Sequence, residues 1–412
     1  MPDELHPETV RYVLSVGQEY RKKFGQFFTP RSLRVELIER LPRISKPKVL
    51  DPACGTGEFL LTARDYFEEP ELYCWEIDPV LADIARKVVP EASIEVVDSL
   101  KKPFVEAFDV VLGNPPYLEV RLDRDVEARY FEVISGRVNL YSLFIYLGLK
   151  VLKPGGWLAY VVSSSMNNGA YFKKLREYII RVADIEYMKT LPSSRIFTEA
   201  NHTFQLLVLR KRLPNHKPAE KFVFEKSGRV MFSEHAEELK KSWIGSLSLA
   251  ELDYRVQTGR IVWNQCRDKL TDDPRGSVLL IWSHNVGAGR LVLGNRANKP
   301  QYIRGVKVWD RGPAIVTNRV VGHPSNPKLR AAIVPEGLEF VAENHVNVIY
   351  PPRGVEMTEL SEIVEQLNSE RISRYIRMLI GNTQVSAREL EHLVPIVPTE
   401  TMRKRLGEKQ VV

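Results

Sequence analysis

Residues 48–60 read Lys-Val-Leu-Asp-Pro-Ala-Cys-Gly-Thr-Gly-Glu-Phe-Leu. A short apolar run ends at an aspartate and a proline, two glycines follow, and a segment with helical spacing begins. This order predicts a buried strand over Lys48–Ala53, a tight turn, and a helix over Glu58–Tyr66. Glycines at 55 and 57 let the backbone pass close to a ligand with no Cβ in the way. A strand followed by Gly-x-Gly also fits a dinucleotide site or a plain turn. No lysine of the phosphate-loop type follows the glycines, so a phosphate cradle is not indicated.

Working outward, Glu71–Ile77 predicts a second strand, Pro79–Val88 a helix, Ser93–Val97 a third strand and Phe108–Gly113 a fourth. The fourth strand runs into Asn114-Pro115-Pro116-Tyr117. Asn139–Leu152 reads as a long helix closed by Lys153-Pro154-Gly155-Gly156, and Trp157–Val162 as a fifth strand. Such alternation implies a parallel sheet with helices on both faces. Ligands of these sheets sit at the carboxyl ends of the strands. Asp51, Glu76 and Asp98 fall at three successive strand ends, which packing alone does not explain, because buried carboxylates need partners. Glu76 lies about 20 residues after the glycines, where nucleotide-binding α/β folds place an acid for ribose hydroxyls. Asp98 can accept from an adenine amino group.

The turn after the fourth strand fits one chemical problem. An amine on an aromatic ring is a poor nucleophile, because its lone pair is delocalised. Two acceptors on its two N–H groups favour a pyramidal nitrogen. The Asn114 side-chain oxygen and the Pro115 carbonyl are candidates, and proline holds that carbonyl at a fixed φ. Tyr117 would stack on the ring. Position and electrostatics would then supply the catalysis without a covalent intermediate, leaving Cys54 as a small packed residue.

The chain has 412 residues, 44% hydrophobic and 27% charged, with a net charge of +7. That is enough for about two domains of an ordinary globular protein. Residues 1–210 carry a net −1 and residues 211–412 a net +8. A near-neutral half beside a basic half suggests chemistry in one and contact with a polyanion in the other. Lys211–Glu220 is charged and proline-bearing and reads as a linker, giving domains over 1–212 and 221–412. Beyond it come short strands, many glycines and two helices, Glu359–Asn368 and Ser369–Ile380. Cys54, Cys74 and Cys266 are widely spaced with no Cys-x-x-Cys pair, so neither a disulfide framework nor a zinc site is expected. There is no apolar stretch of membrane-spanning length, and the acidic N-terminus lacks the apolar core of a secretory signal. A cytoplasmic protein without metal is expected.

Phe27-Phe28-Thr29-Pro30, the run Asp51–Leu60, Glu76-Ile77-Asp78-Pro79, Val96–Leu100 and Asn114–Tyr117 occur in an order that resembles the gamma group of DNA adenine-N6 methyltransferases. These are the TaqI-like type II modification enzymes of restriction–modification systems. Residues 24–210 carry the resemblance closely and the remainder more loosely. It implies a Rossmann-like S-adenosylmethionine-dependent domain with a mostly parallel seven-stranded sheet, followed by a smaller α+β DNA-recognition domain. It also implies roles. Phe28, Thr29 and Pro30, with Phe27, would close over the methionine part of the cofactor, and Asp51, Ala53 and Gly55 would lie beside it. Glu76 would bind ribose hydroxyls, Ile77 the cofactor adenine, and Asp98 its amino group. Asn114, Pro115, Tyr117 and Phe197 would hold the target base, with Asn114 also bordering the cofactor. One departure is Asp98-Ser99, where an aromatic residue often follows the acid; Leu100 or Phe104 would complete the adenine pocket.

In that reading the target nucleotide leaves the duplex to reach the methyl donor. The partner is double-stranded DNA, with a cognate restriction endonuclease acting separately and the enzyme a monomer. The second half would read sequence with arginines and asparagines. Candidate stretches are Thr258–Arg267, Trp282–Asn285, Asn295–Lys299 and Arg311–His323, and Gly381–Ser386 before Leu390–Pro398 resembles the last part of the family's recognition domain. Four alternatives stand beside it: RNA adenine methylation, DNA cytosine-N4 methylation, methylation of a protein glutamine, and a DNA-binding protein without catalysis. Asn344-His345 suggests a nuclease only weakly, because no acidic pair with a trailing lysine accompanies it.

Overall fold

The computed structural model describes residues 5–23, 25–191, 203–294, 299–319, 328–379 and 384–407. The chain divides into two compact units, Met1–Phe224 with Val230–Glu234, and Glu225–Arg229 with His235–Val412. The first unit thus extends beyond residue 212. Phe222 and Phe232 belong to its core, and the Arg176 guanidinium donates to the Val230 carbonyl at 2.7 Å. Charge and prolines marked the linker in the sequence; these two phenylalanines decide where the first core ends.

The first unit is built on seven strands: β1 (Lys48–Asp51), β2 (Glu71–Glu76), β3 (Ser93–Val96), β4 (Phe108–Gly113), β5 (Leu152–Ser163), β6 (Ala183–Thr190) and β7 (Phe204–Lys211). They lie in the order β3-β2-β1-β4-β5-β7-β6. The first five are parallel, and β7 runs antiparallel to both its neighbours. Strand order reverses between β1 and β4, which opens a crevice at their carboxyl ends.

Because both faces are covered, the central strands are apolar along most of their length. Leu50, Val111, Leu158, Tyr160 and Leu207 point into one core cluster. Val49, Val110, Ala159, Val161 and Leu206 point into the other. The longer helices of the unit are α1 (Pro7–Ser15), α2 (Arg31–Ile38), α3 (Glu58–Tyr66), α4 (Pro79–Val88), α5 (Leu140–Val151) and α6 (Lys173–Val182). Helix α5 is buried on nearly every side, which explains its lack of a polar face. Helix α4 starts where the sequence says: the Asp78 side chain accepts from the Val80 amide and Pro79 occupies the first turn.

Two readings of the sequence need correction. Lys153–Gly156 does not simply close a helix; it lies inside β5 as an irregularity in the pairing with β4, pinned by Lys153 Nζ on Asp109 at 2.7 Å. Cys54 and Cys74 are joined by a disulfide, with Cα atoms 5.7 Å apart. Spacing hid this pair, because it is the register of β1 on β2 that brings the two residues together: Asp51 sits opposite Cys74, and the Cys54 amide donates to the Trp75 carbonyl.

The second unit holds two five-stranded sheets of short strands. One centres on Ala314–Asn318 and Val346–Tyr350, the other on Val278–Ile281 and Glu339–Ala342. Helices α7 (Met357–Leu367) and α8 (Glu370–Leu379) fall where the periodicity put them, within two residues. Trp282 and Asn285, proposed from sequence as base readers, are fully buried. Asn285 is held by the Trp282 amide, the Val292 carbonyl and Gln301, so it organises a loop instead of facing a ligand. Asn295–Asn298, Val320–His323 and Gly381–Thr383 lie outside the described residues. No helix among the described residues is long and apolar enough to cross a membrane.

Candidate active site

The carboxyl ends of β1 to β4 surround a cavity of about 530 Å³ in the first unit. Phe28, Thr29, Asp51, Ala53, Gly55, Glu76, Ile77, Asp98 and Asn114 line it. Pro30 does not; it caps the start of α2, one residue beyond the wall. Pro115 is buried and is not among the wall residues, whereas its neighbour Pro116 is. Phe197 lies outside the described residues. Leu100 completes the wall at the third strand end. Phe104 does not: it packs edge-on to Tyr130 and Tyr146 with Arg129 over its face.

The acidic strand ends hold the loop open as well as facing the cavity. The two Glu76 carboxylate oxygens accept from the Gly55 amide at 2.8 Å and the Asp78 amide at 2.9 Å. Glu76 therefore fixes the glycine turn, whose φ values of 55° at Gly55 and 85° at Gly57 suit glycine. Burial raises the Glu76 pKa despite these amides. Asp51 accepts from the Ala53 amide at 3.1 Å, and burial, opposed by that bond and reinforced by Glu76, pushes its pKa up to about 8. Gly113 makes room for it, since a Cβ there would sit 2.6 Å from the Asp51 Oδ1. Asp98 accepts from the Leu100 amide, and the Ser99 hydroxyl donates to the Pro52 carbonyl at 2.5 Å.

The Thr29 hydroxyl is buried without a hydrogen-bond partner. Such an orphan at the cavity wall marks a place for a polar ligand atom. Two buried carboxylates suit a cation. A ligand carrying a sulfonium, an ammonium group and ribose hydroxyls fits these groups.

Asn114 enters at the end of β4. Its Nδ2 donates to the Phe27 carbonyl at 2.9 Å, and its Oδ1 faces the Tyr117 hydroxyl, whose single proton is shared between that oxygen and the Val161 carbonyl at 2.7 Å. The amide is thereby oriented from both sides, with one lone pair on Oδ1 still available. The Tyr117 ring packs against Phe27, Tyr141 and Phe204, at centroid distances of 6.0, 5.9 and 4.8 Å. It stands behind the wall and is not among the lining residues.

Sequence reasoning missed Phe59, Leu81, Leu140 and Phe144, which also line the cavity. Their only signal is membership of apolar helix faces. It also missed the roof of the loop. Glu58, the first residue of α3, forms a buried ion pair with Arg34 and accepts from the His6 amide at 2.7 Å, and the Thr9 hydroxyl donates to that of Thr56 at 2.9 Å. Among the described residues no cluster of three or more His, Cys, Asp or Glu side chains is placed to hold a metal.

Sheet order, the reversed last strand and the acid-lined cavity define a Rossmann-like S-adenosylmethionine-dependent methyltransferase. The chain belongs to the N-6 DNA Methylase family, whose model matches residues 11–253. It is similar to the type II methyltransferase M.TthHB8I of Thermus thermophilus, 26% identical over 94% of each chain. It is also similar to M.CvrRI of Paramecium bursaria Chlorella virus XZ-6E, 24% identical over 92% of this chain and 96% of that one. The match to M.VspI of a Vibrio strain is 27% identical and spans 58% of this chain and 64% of that protein.

Proposed function

We propose that the protein is a site-specific DNA methyltransferase of the gamma group that methylates N6 of an adenine flipped out of double-stranded DNA, as the modification arm of a restriction–modification system. The observation that carries this reading is the doubly oriented Asn114 amide at the wall of a cavity with buried carboxylates. When bound, S-adenosylmethionine supplies an electrophilic methyl on its sulfonium. Asn114 Oδ1 and the Pro115 carbonyl accept the two N–H groups of the adenine amine and raise the electron density on its nitrogen. The Phe27 carbonyl keeps the Asn114 oxygen, and not its nitrogen, turned toward that amine. Glu76 takes ribose hydroxyls, Thr29 a polar group of the methionine part, and Asp51 balances the positive charge. Tyr117 acts through its hydroxyl as a positioning residue for Asn114, in addition to any stacking by its ring. The basic second unit supplies DNA contacts, the enzyme works as a cytoplasmic monomer, and any cognate endonuclease is a separate chain.

The test is incubation with radiolabelled S-adenosylmethionine and unmethylated genomic DNA. Wild type should incorporate label, and Asn114→Ala should lose about 10²–10³-fold in rate at saturating cofactor. A wild-type protein that binds the cofactor and labels no DNA, or an Asn114→Ala variant at wild-type rate, would overturn the reading.

A further inference from the structure

A second cavity, of about 750 Å³, opens beside the loop that follows the catalytic turn. Its place is fixed by the chain. Glu119 pairs with Asn139 and Val120 with Val138 in a two-stranded ribbon. One strand begins two residues after Tyr117, within about 7 Å by chain length. The other ends at Asn139, directly before Leu140, whose amide donates to the Leu118 carbonyl and which lines the cofactor cavity. The far wall is anchored too: Phe172, next to Tyr171, lies 5.3 Å from Tyr141, which in turn lies 5.9 Å from Tyr117.

The lining says what the cavity takes. Tyr171 is a wall residue and is half exposed, 51%. Its ring rests on Gly136, where a Cβ would come within 2.7 Å, and Gly136 has a φ of 74°. Around it stand Glu119 and Glu127, Arg121 and Arg137, with apolar surface from Leu122 and Ile134; Arg137 and Glu119 form a loose, exposed ion pair at 3.9 Å that a base edge could replace. These charges sum to zero, so the cavity is not built for a phosphate, which calls for net positive charge. A half-exposed tyrosine ring in the wall, with carboxylates and guanidinium groups beside it, matches a nucleobase, whose edge presents amino groups to carboxylates and ring acceptors to guanidinium groups.

We infer that this cavity is a second nucleobase site, distinct from the target-base pocket, in which Tyr171 stacks on a base of the substrate DNA close to the methylated adenine or opposite it. The inference rests on the proposed DNA substrate. It gives the first unit a share in sequence reading that its near-neutral charge conceals.

The experiment pairs protein and DNA variants. Once the wild-type enzyme has defined its site, duplex oligonucleotides carry an abasic position at each base within two of the target and at its partner. For wild type, one such position should raise the DNA KM about tenfold, the scale of one stacked base. Tyr171→Ala should show that increase already on the intact duplex and gain less than twofold more from the same abasic position. Arg137→Gln should raise KM in the same position-dependent way. The cofactor Kd should be unchanged in both variants, which reports an intact fold. A Tyr171→Ala enzyme whose KM stays within twofold of wild type, or whose sensitivity to every abasic position persists, overturns the inference and leaves the proposed function standing. A wild-type enzyme that methylates no DNA sinks both.

Discussion

In the proposed function the two units of this chain solve different problems, and their sequences differ accordingly. The first, near neutral over residues 1–210, concentrates its information at strand ends: Asp51 and Glu76 close strands, Asp98 and Asn114 follow one within two residues, and all four line one cavity. The second carries a net +6 over Glu225–Arg229 and His235–Val412, and its described residues form two five-stranded sheets of short strands and five helices. Methyl transfer constrains which atom stands at which point, so particular residue types recur at fixed spacings. DNA contact constrains a surface, and many arrangements of arginine and lysine satisfy it.

The contrast can be tested by asking where single substitutions act. The largest effect on stability should come from the roof of the cofactor loop. Arg34→Met leaves the Glu58 carboxylate buried without its cation, which should cost about 3–5 kcal/mol in urea denaturation followed by circular dichroism. A loss under 1 kcal/mol would mean that the pair is dispensable and that the N-terminal segment does not secure the loop.

Next comes the cofactor itself. Glu76→Gln keeps the shape of the side chain and weakens its charge-assisted bonds to the Gly55 amide and to a ribose. Calorimetry should show the S-adenosylmethionine Kd rising roughly 10- to 100-fold, the equivalent of about 1.5–3 kcal/mol. DNA binding without cofactor should be untouched.

Asp51 supplies a pH signature of similar kind and smaller size. Its pKa is raised from the ordinary 3.8 to about 8 by burial. Between these values the folded chain keeps a proton that the unfolded chain releases, so its contribution to stability is full below pH 4 and falls as pH rises toward 8. Binding a cation favours the ionised form, so cofactor affinity should rise over the same interval and level off above it. Asp51→Asn should flatten both trends relative to wild type. A wild-type affinity that falls as pH rises from 6 to 8 would contradict the assignment.

The smallest effects belong to the second unit. Replacing exposed Lys307 or Arg290 with alanine should weaken DNA binding a few-fold at moderate salt. It should also lower the slope of log K against log salt by about 1 where the cation meets a phosphate. Asn114→Ala should leave that slope alone.

Most of the first unit was legible because strand, turn and cap signals agree locally. Helices Glu58–Tyr66 and Pro79–Val88 and strand Phe108–Gly113 stand at the bounds their residues imply. What stayed hidden depends on register and packing. The Cys54–Cys74 bond follows from how β1 lies on β2. The Arg34–Glu58 pair joins residues 24 apart that no periodicity links. Tyr117 illustrates the limit well. Its presence beside Asn114 was readable, but its ring turns into an aromatic cluster and its hydroxyl onto the asparagine, which only the packing of Phe27, Tyr141 and Phe204 decides. In the second unit, Trp282-Ser283-His284-Asn285 has the composition of a reading loop, yet Asn285 is spent on internal bonds. Composition could not separate an asparagine that builds a loop from one that faces a base.

The most direct test of the central claim is nucleoside mass spectrometry of DNA methylated by the wild-type protein, with the modified position located by sequencing. The account predicts N6-methyladenine as the single product, at one adenine within a defined sequence. N4-methylcytosine, or label confined to RNA or protein when all three polymers are offered, would contradict it.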